Sequence, residues 1–247
     1  GSGDPSFSGE GKMTSAALDL TMDKIALDLH GVTTRMVELD RIALRGVFTP
    51  DDEHFAIEQF LLHGGPLSVE LTGGVTLVKN QTPAIDLSGH VAALNVQDAL
   101  HYWPLPVGEG AREWIEANVH TGMVGPIQIE AHIPADALEQ AALPEDALNI
   151  RVSLSGGTID YIQSVTPITN AQASGVITGD TFTGEMTSGK VGNLTVSGGH
   201  AVIHDLHATN SIGEFTAHVE GGVPDMLALI DEKPMQYPSR FHLRTDG

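Results

Sequence analysis

The chain has 247 residues, and its 32 Asp and Glu residues against 12 Lys and Arg give a net charge of −20, which argues against binding to nucleic acid or to anionic membrane surfaces. It contains no cysteine, so disulfides, thiolate metal sites and cysteine nucleophiles are excluded. Because 41% of the residues are hydrophobic but only 5% are aromatic, we expect a mainly aliphatic core. No stretch approaches the roughly 20 apolar residues that cross a bilayer.

The first hundred residues alternate between apolar and polar side chains in short runs. Ile25 and Leu27 alternate with Lys24 and Asp28, and residues 67–72 repeat the pattern. Side chains with a period of two lie on opposite faces of a strand, so these runs predict strands with one wet face. We interpret residues 5–100 as a first β half, and residues 1–4, which begin Gly-Ser-Gly, as a cloning scar or linker.

Two helices are predicted in the middle of the chain. Residues 95–103 carry apolar side chains at helical spacing up to Pro104, and residues 109–120 place Trp114 and Ile115 on one face, with Gly122 just beyond. We assign residues 101–125 to a helical insert.

Alternation resumes at residues 127–133, 150–155 and 214–220, and residues 134–147 are predicted to form a helical turn or a loop. We interpret residues 126–240 as a second β half closed by a short helix at 223–233, and residues 241–247 as a tail. Paired glycines are interpreted as hairpin turns between the strands, so the sequence predicts an antiparallel meander of about 14 strands. The pairs stand at 64–65, 73–74, 156–157, 198–199 and 221–222.

The sequence offers little for catalysis or metal binding. His200, His204 and His207 are the closest histidine cluster, but His200 and His204 would be about 13 Å apart along a strand at ~3.3 Å per residue, too far for joint ligation, and His207 would lie on the other face. Most Asp and Glu residues occupy the polar positions of the alternating runs. We therefore expect no catalytic residues, no metal, no cofactor and no enzyme activity.

The apolar face of such a sheet needs a cover. In a β-sandwich the cover is a second sheet, whereas a curved sheet can leave its apolar face partly open as a trough for a lipid. Burying an acyl chain of about 16 methylenes at ~0.8 kcal/mol each is worth on the order of 13 kcal/mol. The alternation is compatible with both arrangements.

Two segments resemble a known family. Residues 101–106 read HYWPLP and residues 111–118 read AREWIEAN, followed by Gly122. Together they resemble the signature of the AsmA-like superfamily, specifically its YhdP type. Residues 225–235, DMLALIDEKPM, are similar to the segment that closes a β unit in those proteins. The resemblance covers roughly residues 5–240.

The resemblance implies a curved antiparallel β-sheet groove with a few short helices, mainly β overall. Such proteins are anchored in the inner membrane by an N-terminal helix, extend through the periplasm toward the outer membrane, and are implicated in moving phospholipids between the two. We expect this chain to be a periplasmic fragment of a longer parent that contacts phospholipid acyl chains. The missing parts of the parent would reach both membranes, and envelope proteins are further candidate partners; nucleic acid is not expected.

The apolar side chains of the most regular alternating runs are the predicted lining of the lipid groove. Acyl chains would slide over non-specific aliphatic contacts while headgroups stay at the wet edge. The predicted lining consists of Ile25, Leu27, Leu29, Leu67, Val69, Leu71, Val75, Leu77, Ile127, Ile129, Ile133, Ile150, Val152, Leu154, Phe182, Met186, Leu194, Val196, Phe215 and Val219.

The signature residues are predicted to be structural. Tyr102, Trp103, Trp114 and Ile115 would form a cluster that docks the insert over one end or edge of the groove, with Arg112 bonded to backbone carbonyls or a carboxylate. Pro104 belongs to the same predicted motif.

Two alternatives stay open at this stage. One is a structural or protein-interaction β-sandwich module of the envelope with a self-filled core. The other is a carbohydrate-binding or hydrolysing jelly roll, which the scarcity of aromatic residues disfavours.

Overall fold

The computed structural model describes residues 1–7, 9, 12–28, 36–103, 105, 109–140, 142–162, 164–206, 208 and 213–241. Fourteen strands in these residues form one antiparallel sheet, which confirms the predicted mainly β fold. Residues 2–4, assigned to a linker from the sequence, form part of the first strand. The strands are β1 (Ser2–Phe7), β2 (Met13–Leu27), β3 (Val37–Thr49), β4 (His54–Gly64), β5 (Leu67–Thr76), β6 (Ala84–Val91), β7 (Leu94–Asn95), β8 (Val119–Val124), β9 (Ile127–Ile133), β10 (Leu148–Ile159), β11 (Ile168–Thr178), β12 (Thr181–Val191), β13 (Leu194–Ile203) and β14 (Gly213–Glu220).

The sheet is a meander with one insertion. Its main path runs through twelve strands, and sequential strands are neighbours except where β9 pairs with β6. The short strands β7 and β8 lie off this path, where β8 pairs with β7 and with the second half of β10. Because the helical insert lies between β7 and β8, the β6–β9 ladder joins the two β halves directly.

Short helices lie close to the predicted positions. α1 (Val96–Tyr102) begins where the Asn95 side chain accepts a hydrogen bond from the Asp98 backbone N–H at 2.9 Å, a standard N-cap. α2 (Glu109–Asn118) ends two residues before the predicted boundary, because Val119 already pairs in the sheet.

At the C-terminal side, α3 (Val223–Ile230) follows β14 as predicted, and α4 (Tyr237–Phe241) was not predicted. Residues 134–147 contain a 3-10 turn at Ala137–Glu139. Among the described residues, no helix is long and apolar enough to cross a membrane.

The prediction that paired glycines mark hairpin turns between strands is confirmed for one of the five pairs and wrong for the other four. Residues 64–65 do form the β4–β5 turn, and residues 221–222 connect β14 to α3. The pairs 73–74, 156–157 and 198–199 lie inside β5, β10 and β13. At Gly73, with φ +140°, an added Cβ would lie 1.9 Å from the Asp86 carbonyl oxygen. Gly73 thus permits close strand approach, whereas Cβ atoms added to Gly156 and Gly198 would meet nothing within 4 Å. All three pairs adjoin ladder irregularities, which bend strands.

Gly89 provides a test of this close packing. A Cβ at Gly89 would lie 2.0 Å from the Glu70 carbonyl oxygen on the neighbouring strand, whereas a Cβ at Gly198 would meet nothing within 4 Å. We expect Gly89→Ala to lower the free energy of unfolding by about 1–3 kcal/mol, as overpacking does. Gly198→Ala, the matched control, should be neutral or stabilise by up to about 1 kcal/mol. Urea denaturation measures both, and equal stability of the two variants would contradict the explanation.

Candidate functional site

One face of the sheet is apolar along the main path. Cross-strand partners lie on the same face, and the register joins aliphatic residues on strand after strand. Gly89 lies opposite both Leu71 and Ile129, and Ile150 lies opposite both Ile129 and Ile177. We call the side of the sheet that carries these residues the apolar face.

The predicted lining residues in the described strands belong to the apolar face by register or by packing into its buried clusters. Leu29 lies outside the described residues. Leu77 follows the end of β5 and is 54% exposed, and Phe215 is 57% exposed. Leu67, Leu194 and Val196 are buried, and the half-buried members are Ile25, Leu27, Val69, Leu71, Val75, Ile127, Ile129, Ile133, Ile150, Val152, Leu154, Phe182, Met186 and Val219.

The sequence prediction missed the apolar positions of β3 and β4. Ile42, Leu44 and Phe48 alternate along β3, and register places Phe60 and Leu62 of β4 beside the first two. The alternation of β3 is visible in the sequence. That of β4 is hidden because a bulge near residues 58–59 shifts the pattern by one residue.

The opposite face is polar and exposed. Arg41 donates to Asp23 at 2.7 Å, and the guanidinium of Arg151 lies 3.6 Å from Glu130. Exposed pairs of this kind contribute about 0–1 kcal/mol each, so their main effect is to keep this face in water.

The described strands form no second sheet over the apolar face. All fourteen belong to one sheet, and close contacts between strands run chiefly between hydrogen-bonded neighbours. The two-sheet sandwich left open by the sequence is therefore not the architecture of the described residues. Much of the aliphatic surface is consequently only half-buried.

Burial within the apolar face changes from one end of the strands to the other. In the described residues, every buried aliphatic residue larger than alanine lies near the strand ends where the helices attach. Leu39 is 4% exposed and Leu194 is 2% exposed, and Leu67 and Leu94 pack with Leu39 in one cluster. We call this edge the seam. It is closed by its own side chains and by α1, α2 and α3.

The other ends of the strands form a more open edge, which we call the mouth rim. In the described residues it consists of the links at 50–53, 77–83, 134–140 with 142–147, 179–180 and 204–206. Hydrogen bonds join these links to one another: the Leu77 N–H donates to the Glu53 carbonyl at 2.9 Å, and the Leu206 N–H donates to the Asp180 carbonyl at 3.1 Å. The mouth rim is thus a connected border beside half-exposed apolar residues.

The helical insert is held to the seam. Tyr102 packs against the cluster of Leu39 and donates a hydrogen bond to the Gly64 carbonyl at 3.3 Å, and burial raises its pKa, with nearby carboxylates adding to the effect. Ile115 packs against the buried residues Val96, Leu100 and Val119.

Trp114 is 38% exposed, more than the other members of the predicted cluster, which are half-buried. Trp103 is half-buried, and Pro104 lies outside the described residues.

Arg112 joins the two helices of the insert. Its side chain is buried at 8% exposure, donates to Glu116 at 2.9 Å and reaches the Leu100 carbonyl at 3.5 Å. Because Leu100 is in α1, the contact fixes the end of α1 against α2.

The closing segment is tied to the β10–β11 connection. Glu232 accepts hydrogen bonds from the backbone N–H and the hydroxyl of Thr166, the latter at 2.6 Å. Burial, with a contribution from the Glu232 carboxylate, raises the pKa of Tyr161. Ser239 donates two hydrogen bonds to Asp231, which lower the pKa of that carboxyl. These bonds give the acidic pair of the closing motif a structural role.

The histidines pair with neighbours rather than with one another. His200 lies 2.7 Å from Glu185, and His204 contacts the Thr181 hydroxyl at 3.3 Å, while His207 lies outside the described residues. Among the described residues, no group of three or more His, Cys, Asp and Glu side chains could hold a metal ion.

Glu116 offers a test of the Arg112 contact. We expect Glu116→Ala to lower the free energy of unfolding by about 1–3 kcal/mol, because it leaves a buried guanidinium without its charged acceptor. Glu116→Gln should cost less, since an amide oxygen still accepts the hydrogen bond. Thermal and urea unfolding compare the two; equal losses for both variants would show that the hydrogen bond is not what matters.

No curated protein and no solved structure matches the chain. A protein-family model described as YhdP protein matches residues 5–242, nearly the full length. That match agrees with the resemblance carried by the insert and by the closing segment. The chain belongs to the YhdP family.

Proposed function

We propose that the chain binds phospholipid acyl chains on its apolar face and takes part in moving phospholipids between the membranes of the cell envelope, without catalysis. The observation that carries the proposal is the open, half-buried aliphatic surface that continues across eleven strands of the main path, from β2 to β14. At about 4.8 Å between strands, that path is roughly 50 Å long. Membership of the YhdP family supports an envelope role, and a periplasmic location under a membrane-anchored parent is part of the same proposal.

The energetics favour a lipid as the occupant. A soluble protein rarely leaves a large contiguous apolar surface in water, and each methylene that such a surface removes from water contributes about 0.8 kcal/mol. Aliphatic contacts are non-directional, so a chain can shift along them without losing a specific hydrogen bond. A self-filled structural module that binds envelope proteins is the alternative, and a lipid-free mass for the folded protein would favour it.

Photo-crosslinking tests where the lipid lies. Val69 and Val152 lie on the apolar face, whereas their neighbours Glu70 and Arg151 lie on the polar face and are exposed. With a photoreactive amino acid at each position in turn, we expect lipid adducts at Val69 and Val152 and none at Glu70 and Arg151. Mass spectrometry of the crosslinked protein identifies the adducts. Adducts on both faces, or none at any lining position, would contradict the proposal.

A charge in the middle of the apolar face tests whether the surface has to be apolar. Ile129→Glu places a carboxylate beside Gly89 and Ile150, where contact with an acyl chain would desolvate it. We expect about tenfold less copurifying phospholipid, equivalent to roughly 1.4 kcal/mol. Gln128→Glu adds the same negative charge on the polar face and should leave lipid occupancy unchanged. Native mass spectrometry measures occupancy, and circular dichroism checks that both variants fold; equal occupancy would refute the requirement.

A further inference from the structure

The first turn of α2 reaches the mouth rim. A Cβ added to Gly110 would lie 3.5 Å from the Ala208 carbonyl oxygen and 3.8 Å from the Leu206 carbonyl oxygen, which is ordinary van der Waals contact. Leu206 belongs to the 204–206 link of the mouth rim. At its other end, α2 leads directly into Val119, which is 6% exposed at the seam. The helix therefore touches both long edges of the apolar face.

The helical insert lies on the apolar side of the sheet. Ile115 of α2 and Leu154 of the apolar face pack against the same buried residues. Tyr102, at the end of α1, packs against the cluster of Leu39 and Leu67, which also lie on that side. The contact of Gly110 with the mouth rim is thus made above the apolar face and not behind the sheet.

This contact requires a strongly curved sheet. A helix of ten residues, the length of α2, is about 15 Å long. β13 also has ten residues, and it extends roughly 33 Å from the seam to the mouth rim. Ladder irregularities at 155–157 in β10, 169–172 in β11 and 196–198 in β13 provide the bends. The mouth rim of the second half consequently curls back toward the insert.

The insert is held more firmly to the seam than to the mouth rim. Arg112 is 8% exposed and donates to Glu116 and to the Leu100 carbonyl, so the first turn of α2 stays with α1. At the mouth rim, Gly110 has no side chain to bury, and Leu206 and Ala208 are only half-buried. Separating the rim from Gly110 therefore exposes far less apolar surface than detaching the insert from the seam.

We propose that the contact of Gly110 with Leu206 and Ala208, which we call the α2–rim contact, closes the trough sideways and that its separation lets a lipid enter or leave. This inference rests on the proposed function. While the contact is closed, the insert and the rim enclose the apolar face at this point, and an acyl chain shifts only along the trough. When the rim moves away from Gly110, the same chain exchanges through the gap between the two edges.

A reversible crosslink tests the closure. The chain contains no cysteine, so the double variant Gly110→Cys and Ala208→Cys carries only the two introduced thiols. The lipid-loaded variant is joined by a short bismaleimide linker with a reducible disulfide, and native mass spectrometry checks that lipid stays bound. Fluorescent phosphatidylethanolamine is then followed from donor to acceptor vesicles of phosphatidylethanolamine and phosphatidylglycerol. We expect transfer to be about tenfold slower when crosslinked, and to recover when the linker is reduced.

A matched crosslink on the polar face is the control. Thr72 and Ser88 are exposed register partners on β5 and β6, and their hydroxyl oxygens are 3.4 Å apart. Because these positions are already held together by the ladder, the same linker between Thr72→Cys and Ser88→Cys should leave the transfer rate unchanged.

Added bulk at the contact should have the opposite effect. Gly110→Leu crowds the two carbonyl oxygens, and we expect transfer about threefold faster than in the unmodified protein. Gly110→Ala adds only a Cβ at ordinary contact distance and should keep the original rate. Thermal unfolding checks that both variants fold, and a role limited to stability would not make transfer faster.

The outcomes separate this inference from the function it rests on. Equal transfer before and after reduction of the linker, or equal slowing by the control crosslink, overturns the closure and leaves lipid binding intact. Failure of the two thiols at positions 110 and 208 to crosslink in the folded protein also overturns it. Absence of bound lipid in the uncrosslinked protein overturns both.

Discussion

A single sheet of fourteen strands carries an entire aliphatic face with no partner sheet to cover it, and the other features of the molecule follow from that constraint. Exposing aliphatic surface to water is unfavourable. Part of this surface is buried along the seam, where side chains pack together and short helices cover them. The remainder is left half-exposed toward the mouth rim. The surface that folding leaves unsatisfied is the surface that the proposed lipid would cover.

Glycine and phenylalanine residues pack against each other on this face. Phe182 lies over two glycines of the sheet, because Cβ atoms added to Gly175 and Gly184 would fall 2.4 and 2.9 Å from its ring. A glycine beneath a ring lets the ring lie flat on the sheet and shields the backbone from water, as aromatic residues do for glycines in designed sheets. The low aromatic content therefore does not mean that aromatic residues are unimportant here.

The strands were predictable where alternation was regular, and the helices where caps and prolines marked their ends. The glycine pairs misled because Gly73 and its neighbour serve close strand approach, which sequence alone cannot distinguish from a turn. Trp114 was expected to belong to the cluster that docks the insert, yet it is 38% exposed, and that exposure depends on how α2 meets the seam. The difference between seam and mouth rim was not predictable, since it depends on which strand ends the helices cover.

The ladder order has a consequence for cooperativity. Apart from the connection between β6 and β9, each strand of the main path is bonded to the strands before and after it in sequence. Such a sheet resembles a one-dimensional array. Its free energy of unfolding is then approximately a sum of contributions from each strand and from each contact between adjacent strands, as in repeat proteins. β1 and β14 each have one bonded partner, so local opening begins at these two strands and amide hydrogens there exchange first. The two halves are joined directly by the β6–β9 ladder. The stability of that ladder therefore determines whether the two halves unfold together.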